Sequence, residues 1–286
     1  MKIKIITDST CELSKEYIDE NRIHVVPFSF QLSGIEYEDN FGIELNYKDF
    51  YNKLRKGEMS STTQITPFIF EKIFEEYVNK GYAVIYIGFS SALSETFNCA
   101  QIARNTIMSR ESDADITIFD TRSASAGQGL IVYQVIEMLK QGRTKDEIID
   151  GLKLLRKKVN SWFIVDNLNH LKRGGRISAT NAALGYLLEI KPILKLDNEG
   201  KIVVADKVRG RKKSIRSLFD KFDEFASDKE LQTVFIHHAD CLEEAEFLKT
   251  MIISSNKVKE VFVNDMGPII GSHTGPGSLA IAFVGN

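Results

Sequence analysis

Apolar positions fall into two regimes along the chain. In the first, short apolar runs alternate with stretches of helical spacing. Lys4 to Thr7 reads as a strand, ending at the helix-capping residues Asp8, Ser9 and Thr10, and Glu12 to Glu20 reads as the following helix. His24 to Phe30 reads as another strand. Phe68 to Asn79 sets Phe70, Ile73, Phe74 and Tyr77 on one helical side, and Gly81 stops it. Ala83 to Ile87 and Ile116 to Phe119 read as strands, each followed by a hydroxyl-rich turn and a helix, the first running to about Met108 and the second from Gly129 to Lys140. Strands apolar throughout and separated by helices imply a parallel sheet covered on both faces.

In the second regime the pattern changes. Asp146 to Lys158 is helical in spacing, Trp162 to Val165 is apolar, and Asn167 to Ser178 is polar and glycine-rich. Ile193 to Leu196 and Ile202 to Ala205 flank Asp197-Asn198-Glu199-Gly200, a hairpin signature. Thr233 to His237 reads as a strand and Leu242 to Ile253 as a helix. Val261 to Asn264 and Leu279 to Val284 read as strands around a Gly/Pro-rich turn. The expected fold is α/β in two domains: residues 1–155 with a parallel sheet in an α/β/α arrangement, and residues 156–286 with a mixed or antiparallel sheet and helices.

Composition adds little and excludes much. The 286 residues are 43% apolar and 27% charged, with a formal net charge of −2, which supplies no global field for nucleic acid or anionic membrane. Eighteen phenylalanines fit a phenylalanine-rich core or an apolar pocket. Cys11, Cys99 and Cys241 are odd in number and far apart, which argues for reduced thiols and against a disulfide framework or a zinc site. No apolar run approaches the roughly 20 residues that span a bilayer, and the first residues do not form a signal peptide. The expectation is a cytoplasmic protein without stable membrane insertion.

Candidate chemistry gathers at strand ends. Ligands of an open parallel sheet bind beyond the carboxyl ends of its strands. Hydroxyl clusters sit there at Asp8-Ser9-Thr10, at Ser90-Ser91 with Ser94, and at Thr121 with Ser123; Ser60-Ser61-Thr62-Thr63-Gln64 forms a further cluster before a helix. Each can cap a helix; together they can also seat a carboxylate or phosphate. Gly88-Phe89-Ser90-Ser91-Ala92 resembles a nucleophile elbow whose closing glycine is replaced by Ala92. It keeps open a serine hydrolase or acyl-transfer enzyme using Ser90 or Ser91, with His237, His238 or His273 as base. There is no phosphate-binding P-loop and no clustered metal-ligand motif. The basic run Lys207 to Lys213 reads as a solvated face, a nucleic-acid patch, or a docking site for a phosphate or acidic partner.

Several motifs occur in the order of one family. Thr7-Asp8-Ser9-Thr10 is similar to its opening signature. Thr62-Thr63-Gln64 with Pro67 resembles its Thr-Ser-Gln-Pro segment, and Ser90-Ser91-Ala92-Leu93-Ser94-Glu95-Thr96 its Ser-Ser-x-Leu-Ser-Gly-Thr loop. Leu171-Lys172-Arg173-Gly174-Gly175-Arg176-Ile177, Lys191-Pro192-Ile193-Leu194, the basic run and His273-Thr274-Gly275-Pro276-Gly277 complete the pattern. The whole chain resembles the DegV family, which includes the fatty-acid-binding subunits of bacterial fatty acid kinase. The resemblance implies two α/β domains with a tunnel, between and within them, holding a long-chain fatty acid. It implies a carrier rather than an enzyme, with no cofactor or metal beyond the bound fatty acid. The partner it implies is the catalytic subunit of fatty acid kinase, for acyl-phosphate formation and phospholipid synthesis, and not nucleic acid. It assigns the carboxylate to Thr62 and Ser94, with His273 beside the head group and Ser91 as a further candidate. Arg209, and next Arg211, are implied to face the phosphate or the partner. Two departures stand out: Thr63 and the displaced Pro67 alter the first loop, and Glu95 puts a negative charge where the family has glycine.

Overall fold

The computed structural model describes residues 2–177, 190–255 and 257–285; Ser178, at the end of the polar glycine-rich stretch, lies outside them. The fold is mixed α/β, built on three sheets. Strands β1 (Lys2–Asp8), β2 (His24–Val26), β6 (Tyr82–Gly88) and β7 (Ile116–Asp120) form a parallel sheet in the order β2-β1-β6-β7. Its helices include α1 (Lys15–Glu20), α3 (Pro67–Asn79), α4 (Thr96–Arg110) and α5 (Ala126–Lys140). Strands β3 (Ser29–Leu32), β4 (Ile35–Glu38) and β5 (Ser60–Thr63) make a small antiparallel sheet, with α2 (Tyr47–Arg55) between β4 and β5.

The predicted strand from His24 to Phe30 is thus two strands in two sheets. Pro27 lies between them, and its missing N–H interrupts a ladder. The predicted helix from Glu12 begins only at Lys15. Glu12 has φ 51°, in the left-handed region, and Ser14 caps the helix by accepting the Tyr17 N–H at 3.2 Å. The helix predicted after the Gly88-Phe89-Ser90-Ser91 turn starts only at Thr96, leaving a seven-residue loop after β6.

The third sheet has six strands in the order β10-β9-β8-β13-β11-β12: β8 (Val159–Ile164), β9 (Ile190–Leu196), β10 (Ile202–Arg209), β11 (Thr233–His238), β12 (Glu260–Asp265) and β13 (Leu279–Val284). Only the β11–β12 pair is parallel. The β9–β10 hairpin matches the predicted one. Helix α6 (Lys145–Lys158) leads into β8, and α7 (Asn169–Arg173) lies within the stretch read only as polar and glycine-rich. Helices α8 (Arg211–Phe225) and α9 (Leu242–Ser255) cover one face of the sheet, where Ile215, Leu218 and Leu248 pack on Trp162, Ile193 and Val234. The turn predicted between β12 and β13 contains a two-turn helix, α10 (Pro268–Thr274), with Pro268 at its start.

Helix α5 ties the two halves together. Residues from Ala126 to Tyr133 are buried without a break, as a helix flanked on all sides must be. It packs on β8, β11 and β13, so one continuous core runs from Ile5 and Ile85 of the parallel sheet to Leu194, Phe235 and Ala282 of the six-stranded sheet.

Candidate ligand-binding site

A cavity lies where the loops at the carboxyl ends of the parallel sheet meet β5, α7, α10 and the six-stranded sheet. Its volume is about 210 Å³. A single water needs about 10–15 Å³, so the space suits a chain rather than an ion. Phe28, Phe89, Phe163, Leu196, Ile202 and Met266 supply apolar wall.

Strand period brings the first polar group into place. On β5, Ser60 and Thr62 face one side while Ser61 and Thr63 are exposed. That side meets α10: the Ser60 hydroxyl lies 2.7 Å from the Ser272 hydroxyl, and Thr62 Oγ1 lies 2.8 Å from His273 Nε2. Burial first, then the nearby Arg176 and His170 charges, lower the His273 pKa to about 4, so its ring is neutral at pH 7. Its Nδ1 is buried with no hydrogen-bond partner among the described residues, pressed against Gly174, where a Cβ would fall 2.1 Å from Nδ1. A bare acceptor nitrogen is easier to leave unpaired than a buried N–H. This favours Nε2–H donating to Thr62 and leaves the Thr62 O–H to donate to a ligand.

Ser94 is both cap and lining. Its Oγ accepts the Thr96 N–H at 3.2 Å and donates to Thr96 Oγ1 at 3.0 Å, while the residue borders the cavity. The Thr96 hydroxyl also accepts the Ile65 N–H at 3.2 Å, which ties the Ser94 loop to the loop after Thr62. Glu95 borders the cavity but is exposed, so water screens its charge.

Thr62, Ser94 and His273 therefore meet at one cavity, and Arg176 joins them. Its Nε donates to the Leu93 carbonyl at 3.0 Å and its Nη1 to the Gly174 carbonyl, so one guanidinium fixes the Ser94 loop against the loop that cradles His273. Burial lowers its pKa. The residue reading passed over Arg176, although the Gly174-Gly175 pair just before it marks a tight backbone approach beside a cation. Gln64, the last residue of the Ser60–Gln64 cluster, also lines the cavity, as does Ser125, which was not singled out.

Four sequence candidates sit elsewhere. Ser91 is exposed and outside the lining; its N–H and hydroxyl both donate to Asp120, at 3.2 and 2.6 Å, because the loop turns it toward the end of β7. Ser90 is buried and donates to the Gly200 carbonyl at 3.0 Å, which leaves it with no histidine partner among its described bonds. Arg211 does not face outward: it bonds Glu244 and the Gly277 carbonyl and lies 3.5 Å from Asp166, which pins the start of α8. Arg209 ends the edge strand β10 and is exposed, away from the cavity lining. The Asp8-Ser9-Thr10 cluster organises the loops from behind: Asp8 accepts from the Tyr86 hydroxyl at 2.7 Å, the Phe89 N–H at 3.1 Å and Gln128 at 3.1 Å. No described helix is long and apolar enough to cross a membrane, and no group of metal-ligating residues occurs among the described residues.

This architecture has close counterparts. A "DegV domain-containing protein" of Clostridium perfringens is 45% identical, with 100% of this chain and 98% of that protein covered. The structure titled "Fatty Acid Binding of a DegV family Protein from Thermus thermophilus" matches with a TM-score of 0.90 at 30% identity, covering 100% of both chains. That of "DegV, a fatty acid binding protein from Bacillus subtilis" matches with a TM-score of 0.86 at 34% identity, again over 100% of both. The family model described as "Uncharacterised protein, DegV family" matches residues 2–286, and the chain belongs to the DegV family.

Proposed function

We propose that this protein carries a long-chain fatty acid, its carboxylate held by Thr62 and Ser94 with His273 behind Thr62 and Arg176 beside them, and its tail in the apolar cavity. The observation that carries the reading is the convergence of those four residues, from four separate segments, on one largely apolar cavity. Burying about fifteen methylenes at roughly 0.8 kcal/mol each gives a gross driving force on the order of 12 kcal/mol, part of which offsets the ordering of the chain. The tail can supply the affinity, so the head group need only be satisfied. Hydroxyl donors do that while leaving a carboxylate oxygen free to be phosphorylated.

The carrier presents this carboxylate to a separate kinase for acyl-phosphate formation, feeding phospholipid synthesis. Arg209, exposed at the end of β10, meets the phosphate or the kinase, a task suited to a guanidinium fork. Arg211, bound to Glu244, stiffens the base of that strand. The residues 1–155 and 156–286 act as two lobes that each supply donors. The hydrolase alternative has less support, since Ser90 is spent on a carbonyl and Ser91 on Asp120.

Mass spectrometry of organic extracts from the purified protein tests the reading. A C14 to C18 fatty acid, unchanged over days, is the expected result. Extracts free of fatty acid, with no uptake of added palmitate or oleate, would overturn it.

A further inference from the structure

The cavity carries a hydroxyl that carboxylate binding does not use. Ser125 precedes α5, is 6% exposed and lines the cavity. Its backbone is at φ 50°, ψ −127°, a conformation that disfavours a side chain and is kept only where surroundings enforce it. They do so here. The Ser125 N–H is bonded to the Thr10 carbonyl at 3.0 Å, and the following turn has no room for a Cβ at Gly127, where one would fall 2.1 Å from Ser123 Oγ and 2.3 Å from Ser161 Oγ. Ser161 lines the cavity too, and the Ser123 hydroxyl is buried without a partner.

Ser125, at the cavity wall, forms a hydrogen-bonded triangle with two buried residues. Its hydroxyl donates to Glu12 Oε2, and His237 Nδ1 lies 3.1 Å from both. The triangle is built from other residues than the head-group seat: Glu12 and His237 bond Ser125, while His273 bonds Thr62. Strand, turn and strained serine resemble a nucleophile elbow, but the protons are wrong for one. Asn264 Nδ2 donates to the Glu12 carbonyl at 3.2 Å, which fixes it as the amide nitrogen, and it lies 3.4 Å from His237 Nε2. Nε2 is therefore the bare nitrogen and Nδ1 carries the hydrogen. A donor cannot take the serine proton, so Ser125 is not activated for attack.

What remains is recognition. We propose that Ser125 is a second polar seat in the tunnel, placed to bind a hydroxyl carried partway along the acyl chain, so that among hydroxylated fatty acids the isomer whose hydroxyl reaches Ser125 is the one accepted. This rests on the fatty-acid reading above. When the Glu12 carboxyl is ionised, the Ser125 O–H points at it and a serine lone pair faces the cavity. When Glu12 is protonated, the state that its burial favours, the acid donates to Ser125 Oγ and turns the serine O–H into the cavity. A ligand hydroxyl, both donor and acceptor, matches either state; a keto oxygen matches only the second, and a methylene neither.

The test is competition binding with octadecanoic acid and its positional hydroxy isomers. One isomer should bind the wild type within about threefold of the unsubstituted acid, while the others lose about tenfold or more from burying a hydroxyl without a partner. Ser125→Ala removes the hydroxyl, and Ser125→Gly does so in a residue that accepts the left-handed backbone. Both should weaken the favoured isomer about tenfold and leave octadecanoic acid unchanged. No favoured isomer, a favoured isomer untouched by Ser125→Gly, or equal weakening of both acids overturns the proposal. Failure of octadecanoic acid itself to bind the wild type would instead overturn the carrier reading.

Discussion

Two polar clusters sit among the loops at the carboxyl ends of the parallel sheet, and only one of them faces open space. Around Asp8 the hydrogen bonds close on themselves: the Tyr86 hydroxyl, the Phe89 N–H, Gln128 and both the N–H and hydroxyl of Thr10 converge on one carboxyl. Around Thr62 they stop short. Thr62 and His273 hold each other, His273 Nδ1 has no partner, and Ser94 and Arg176 border the same cavity. A closed network of buried donors is architecture, while one left open beside an apolar cavity is a seat for a ligand. Both clusters were hydroxyl-rich strand ends in the sequence, and counting hydroxyls does not tell them apart.

The sharpest way to break the comparison is to remove the closed network. Asp8→Ala strands several buried donors at once and should lower unfolding free energy by about 3–5 kcal/mol. Urea denaturation checks this. A loss below about 1 kcal/mol, within the range of an ordinary substitution, would mean that the Asp8 cluster is not what holds the loops.

The open seat has a pH signature. Burial is the largest cause lowering His273 to about 4, and His237 to about 3, from an ordinary value of 6.5. Below pH 6.5 the unfolded chain therefore binds protons that the folded chain refuses. The stability from each neutral ring is fully present above pH 6.5 and is lost as pH falls toward the folded value. The slope is about 1.4 kcal/mol per pH unit for each histidine, or roughly 3 kcal/mol for His273 across its window. His273→Gln should remove that share between pH 6.5 and 4, leaving the part due to His237. Parallel stability curves for wild type and variant over that range would contradict the burial of the ring.

What could be read from the sequence follows from which signals are local. The apolar strands of the parallel sheet and the β9–β10 hairpin are written in short runs, and they appear where expected. The small sheet was missed because β5 is Ser60-Ser61-Thr62-Thr63, with no apolar residue to mark its period; its inner side faces polar residues of α10. Helix α10 was missed because its residues Pro268, Gly271 and Thr274 read as a turn, although tertiary packing holds them in a helix. Among site residues, Thr62, Ser94 and His273 came from motif resemblance, and the structure brings them to one cavity. Arg176 went unassigned because its role depends on reaching the Leu93 carbonyl, 83 positions away in sequence, a contact that no local pattern encodes.

Ser91 and Ser94 give the finest test of that distinction, three positions apart in one loop. Ser94 borders the cavity, and its O–H can turn from Thr96 Oγ1 to a bound carboxylate, so Ser94→Ala should cost about 1–3 kcal/mol in fatty-acid affinity by leaving the carboxylate short of a donor. Ser91 spends its hydroxyl on Asp120, which also accepts the Arg122 N–H at 2.9 Å. That arrangement steadies the turn after β7 and points away from the ligand. The Ser91 N–H survives substitution and keeps its own bond to Asp120, so Asp120 retains backbone donors. Ser91→Ala should therefore change affinity by less than about 0.5 kcal/mol, with a similarly small change in stability. Isothermal titration of both variants, after delipidation, compares them directly. Equal losses at Ser91 and Ser94 would mean that the loop binds as a whole, and the line drawn between an open seat and a closed support would not run between these two serines.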